Sequence, residues 1–282
     1  MHANTRDPHI DFARQELLLV AVILVAIGRF VGSPAWFAVV GLMPPVILVA
    51  GSAVLRSDER PGRPFIPLLI PAVLVGGAAA AVHIVPPGLG LVPALGVFAL
   101  ALDRTLRLEL RLMVQATGIT DSDRLKLVAA AVVAAVIAFT GVACLVPGGL
   151  PEPGTAGVSA GQGGGTGTAL TPAWLAVIAG VDAVLALLLG FRLAAARYGS
   201  ATDALRSALT YAIVVAVAAG AIRALEVPRL IGPAALTLVF YLWDAIHATA
   251  PARRREPRFL WETILLAILA IGVVAWNINL PG

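Results

Sequence analysis

Nine apolar runs, most of them close to ~20 residues and separated by short charged or glycine-rich stretches, constrain this 282-residue chain more than any other feature. They cover residues 17–31, 36–55, 65–85, 89–102, 125–146, 172–193, 204–225, 230–248 and 259–276. A run of that length matches the hydrocarbon core of a bilayer, ~30 Å thick, when coiled as a helix. Runs 17–31 and 89–102 are short; the first extends toward Phe12, and the other borrows length from 103–115. The expected fold is therefore an all-α, polytopic membrane helix bundle with about nine transmembrane helices.

Composition agrees. The chain is 59% hydrophobic and 13% charged, with a mean hydropathy of +0.93, whereas soluble domains carry about 25% charged residues. So few charges cannot cover a 29.0 kDa globule. Cys144 is the single cysteine, which excludes an internal disulfide and a thiolate metal cluster. The net charge of +4 does not mark a nucleic-acid binder, because the basic residues fall between the apolar runs and not along one soluble face.

Those basic residues carry topology instead. With the N-terminus inside, seventeen of the twenty Lys and Arg residues fall in cytoplasmic segments, and only Arg29, Arg223 and Arg229 fall outside. Lys and Arg accumulate on the cytoplasmic side, so this split predicts a plasma-membrane protein with its N-terminus inside and its C-terminus outside. The first sixteen residues balance Arg6 and Arg14 against Asp7, Asp11 and Glu16, and Arg29 interrupts the end of the first run, so the expectation is an uncleaved helix and not a signal peptide. The inner face is strongly basic and is expected to meet anionic lipid. Segment 103–126, which alternates leucines with Arg107, Glu109 and Arg111, either lies on that surface or continues the fourth helix.

The halves of the chain resemble each other. SPAWFAVVG at 33–41 parallels TPAWLAVIAG at 171–180, and PALGVFALALD at 93–103 parallels PAALTLVFYLWD at 233–244. Arg124 precedes Pro147 and Gly148 by the spacing at which Arg258 precedes Pro281 and Gly282. The expected organisation is an N-terminal segment and first helix at 1–32, a four-helix repeat at 33–148, a glycine-rich outer linker at 149–170 and a second repeat at 171–282. Four helices return a chain to its starting side, so the two repeats would run parallel through the membrane. Chance similarity among aliphatic residues is the competing explanation. The linker lacks the Gly-Lys-Ser/Thr ending of a phosphate loop. Ser200 with Asp203 has capping-box spacing at the start of the seventh helix.

An ionisable group inside a membrane helix costs about 2.5–3.5 kcal/mol on insertion scales and marks a candidate site. Asp182, in IAGVDAVLALLLG, is such a group near a midpoint, and its counterpart by repeat spacing is the double proline Pro44 and Pro45. A double proline is expected to break or kink its helix and free carbonyl oxygens, an arrangement that suits a proton or cation site. The same aspartate also fits a protonated carboxyl that hydrogen-bonds a Ser or Thr and holds helices together.

A second candidate lies at the inner end of the eighth helix, where Tyr241, Asp244 and His247 are spaced for one helical face. Asp244 could orient His247 as a general base or proton relay, or it could pair with a basic loop, as could Asp103 in the fourth helix. Glu262 and His83 are open to equally structural readings. The chain has no HExxH motif, no GxSxG elbow and no aspartate-rich diphosphate motif, so no cofactor or metal is expected.

Two functional classes stay open at this point. One is a small-solute or ion transporter whose halves form a pathway with Asp182 as the ion-binding carboxylate. The alternative is a membrane-embedded enzyme or accessory subunit acting on a lipid-linked substrate at the inner leaflet, through Asp244, His247 and nearby arginines.

Overall fold

The computed structural model describes residues 8–30, 35–55, 66–86, 88–114, 119–145, 172–224, 231–249 and six positions between 257 and 268. Every regular element among them is helical: α1 (Pro8–Gly28), α2 (Ala35–Leu55), α3 (Leu69–Ala81), α4 (Leu91–Val114), α5 (Asp121–Leu145), α6 (Pro172–Ala195), α7 (Ala201–Ala224) and α8 (Ile231–Ala248). Single 3-10 turns, Ile66–Leu68 and Val82–Ile84, flank α3. These helices answer to the first eight apolar runs. Most of the ninth run, the linker 149–170 and Glu262 lie outside the described residues, as do the side chains of Trp36 and Trp174 that would test the repeat.

Five of the described helical stretches are long and apolar enough to cross a membrane: Ile66–Ile84, Asp121–Cys144, Leu175–Ala195, Ala201–Ile222 and Ile231–Ala248. Helix α7 shows why a soluble fold does not suit them. Its inward stripe is Ala204, Ala208, Tyr211, Val215 and Ala219, all fully buried, while the opposite stripe of Leu205, Leu209, Ile213 and Val217 is exposed and equally apolar. A helix apolar on both faces needs an apolar solvent on its outer side. The chain is an all-helical membrane protein.

The chain divides into two compact units, Met1–Gly141 and Val142–Gly282. In the N-terminal unit α3 is the centre: its residues 69–80 are buried, and α1, α2 and α4 all pack against it. Close approach is possible because α3 presents glycine where its neighbours touch. A Cβ on Gly77 would lie 2.6 Å from Ala138 Cα of α5, and one on Gly76 would lie 2.6 Å from Pro44 Cγ of α2. Both distances are shorter than real Cβ contacts, so these helices meet backbone to backbone or ring to backbone.

That contact corrects one expectation. The double proline does not break α2, which runs through Pro44 and Pro45 without interruption. Each proline removes one amide donor, from the carbonyls of Val40 and Gly41, but the Pro44 ring fills the space Gly76 leaves open. Helix α4 also differs from its apolar run. It does not stop at Leu102 but continues to Val114, with Leu106, Leu108 and Leu112 buried and Arg104, Arg107 and Arg111 turned toward the surface. Of the two expectations for this segment, continuation of the helix holds as far as Val114.

Helix starts are set by local chemistry. Thr120 caps α5: its hydroxyl donates to Asp123 Oδ2 at 2.7 Å and accepts the Asp123 backbone N–H at 3.2 Å. Ser200 accepts the Asp203 N–H at 3.5 Å at the start of α7, as its spacing predicts. In the C-terminal unit the short turn 196–200 folds α6 and α7 into an antiparallel hairpin, and α8 packs on α7.

Candidate functional site

Two buried polar features stand out in the C-terminal unit. The first is Asp182, fully buried close to the middle of α6. Its stripe on the helix is Ile178, Asp182, Ala186, Leu189 and Leu193, all buried, and Ile178 clusters with Val142 and Leu185. An acidic side chain thus occupies a position whose neighbours along the helix are otherwise aliphatic. Pro44 and Pro45, its expected counterparts, lie on α2 in the N-terminal unit, where the Pro44 ring meets Gly76 and Pro45 is exposed.

The second feature joins three elements. Arg197 sits in the turn after α6, where the backbone N–H groups of Arg197 and Tyr198 both donate to the Ala194 carbonyl, at 2.9 and 2.8 Å. Its Nη1 donates to Tyr211 Oη of α7 at 2.9 Å, and its Nη2 donates to Asp244 Oδ1 of α8. Tyr211 in turn donates its hydroxyl proton to the same Oδ1 at 2.7 Å. The side chains of Arg197 and Asp244 are 7% and 3% exposed, so this is a buried ion pair. Burial alone would lower the basicity of the guanidinium, but the charge of Asp244 and the contact with Tyr211 outweigh it and raise the pKa above the ordinary value. Arg197 is therefore a permanent cation at the site.

The surroundings hold the triad in place. A Cβ on Gly190 of α6 would lie 2.8 Å from Tyr211 Cγ, so only glycine leaves room for the ring. Phe240 packs beside Tyr211 with ring centroids 5.5 Å apart. A parallel link runs one residue earlier on each helix, where Trp243 Nε1 donates to Thr210 Oγ1 at 3.0 Å.

Of the two roles the sequence allows Asp244, this geometry forms the ion pair with a basic loop and not the pairing with His247. The imidazole Nδ1 instead donates to the Trp243 carbonyl at 3.0 Å, and the ring lies against Trp243 and Tyr211 at centroid distances of 4.6 and 6.0 Å. Asp244 is committed to Arg197 and Tyr211, the basic-loop alternative that its position also allowed. Tyr241 is 37% exposed and lies outside this triad. Arg197 and Tyr211 carry no local signal; a cation in the turn before α7 and a tyrosine in an apolar helix were the only hints. In the N-terminal unit Asp103 pairs similarly, 2.8 Å from Arg107 Nε and 3.5 Å from Arg14 Nε of α1.

Comparison of the chain with protein-family models, with curated proteins and with solved structures finds no match. The candidate site is defined by its own chemistry.

Proposed function

We propose that this membrane protein is a small-solute or ion transporter in which Asp182 binds a proton or a cation. The observation that carries the reading is the complete burial of a carboxyl group near the middle of α6, a helix long and apolar enough to span the membrane. Ionisable groups at that depth are costly, and in transporters they serve as proton or ion sites. The acid–base pair on which an inner-leaflet enzyme would depend, Asp244 with His247, is not formed.

The same reading retains nine spans, with the N-terminus cytoplasmic, the C-terminus outside and the basic inner face toward anionic lipid. It also retains the two four-helix repeats, 33–148 and 171–282. The distribution of Lys and Arg supports the orientation, and the paired Pro, Trp, Asp and Arg positions support the duplication.

The test uses the purified protein in lipid vesicles and dicyclohexylcarbodiimide, which modifies protonated carboxyl groups in apolar surroundings. Mass spectrometry of the Asp182 peptide should show modification that falls as the pH is raised, and added sodium should reduce it further if the ligand is a cation. Asp182→Asn should remove the modification while leaving the protein folded. A folded wild type that is not modified at Asp182, or whose modification ignores both pH and sodium, overturns the proposal.

A further inference from the structure

A buried ion pair is a weak way to stabilise a bundle. Desolvating both charges offsets most of their attraction, and apolar residues of similar volume often do as well or better. Arg197 and Asp244 nevertheless converge from two elements with Tyr211 between them. What the pair does offer is two states, because a charge-assisted bond either forms or is exchanged for water.

The geometry suits such an exchange. Asp244 and Tyr211 are on helices, but Arg197 is on the turn 196–200, so withdrawing its side chain requires no unwinding of α6 or α7. Gly199, two residues further on, has no atom within 4 Å of where a Cβ would lie, so the turn is open at that position. Both donors share Oδ1, so withdrawing Arg197 leaves the Tyr211–Asp244 hydrogen bond intact. The cation can leave while the helices keep one link.

We propose that Arg197, Tyr211 and Asp244 form a latch that closes the turn end of the α6–α7–α8 unit and opens by withdrawal of Arg197. This rests on the transport reading for the cycle that the latch controls, but its own test needs no transported solute. Val215, fully buried one turn deeper than Tyr211 along α7, reports whether water passes the latch. The probe is a charged, water-soluble methanethiosulfonate, applied in vesicles to a Val215→Cys protein that also carries Cys144→Ala.

With the latch intact, the thiol introduced at position 215 should react slowly. Adding Asp244→Asn should accelerate the reaction by about tenfold or more, as the open population rises. The exchange Arg197→Asp with Asp244→Arg should slow it again. An unchanged rate in folded Asp244→Asn protein overturns the latch, and so does an acceleration that the exchange fails to reverse, because loosened packing then explains it. If Asp244→Asn does not fold, Tyr211→Phe decides: it keeps the ring in the Gly190 slot and removes the hydroxyl that donates to Asp244 and accepts from Arg197, so an acceleration of about threefold is expected and none overturns the proposal. The acceleration should persist with Asp182→Asn, so failure of the latch and failure of the Asp182 site are told apart.

Discussion

The guanidinium of Arg197 donates to the carboxylate of Asp244, forty-seven residues further along the chain, and both side chains are almost completely enclosed. Removing either one strands a charge in an apolar place. We expect Asp244→Leu or Arg197→Met alone to cost about 3–5 kcal/mol, and the double replacement to cost far less, since no unpaired charge remains. Thermal unfolding of the four proteins in one detergent measures the cycle. Simple additivity of the two single losses would show that the side chains do not interact.

Gly190 predicts a contrast between glycines. Gly190→Ala forces the Tyr211 ring away and should cost about 1–3 kcal/mol by overpacking. Gly220→Ala, where nothing lies within 4 Å of the new carbon, should be neutral or slightly stabilising through better helix propensity. Equal effects at the two positions in the same unfolding assay would contradict the packing described for α6 and α7.

At the seam between α2 and α3 a compensating pair is expected. Gly76→Ala drives a methyl group into Pro44 and should lower the melting temperature, whereas Pro44→Ala made together with it should recover part of the loss. If Pro44→Ala deepens the loss, the proline ring is not what the new methyl group meets.

Topology is tested with reporter fusions. Fusions within 56–63 and at 253–255 should report a cytoplasmic location, and fusions within 147–171 and after residue 282 an external one. Finding the last two on opposite sides removes one span from the nine and moves the second half of the orientation argument with it.

Fusions of this kind test what hydropathy alone makes readable. Apolar length is a local property, so α2, α5, α6, α7 and α8 begin and end within a few residues of their apolar runs. Helix α4 departs from its run because helix ends follow backbone hydrogen bonds and not hydropathy. Its charges accumulate after Leu102 without stopping the coil, since the arginines turn outward while the leucines stay buried. Thr120 with Asp123 was an available capping signal for the start of α5, of the same kind as Ser200 with Asp203.

Sequence by itself determined the solvent of this protein, the approximate extent of its described apolar helices, and the presence of a carboxylate, Asp182, deep within one of them. Each follows from residue composition within a single segment. Tertiary structure alone decided the partners. Periodicity places Asp244 near His247 on one helix, but it cannot show that a turn forty-seven residues earlier delivers Arg197 to the same oxygen or that Gly190 opens a slot for the tyrosine between them. It also cannot show that Gly76 receives the ring of Pro44, or that α2 runs on through two prolines expected to break it. Pairing energy depends on distance across elements, and distances across elements exist only once the helices have packed.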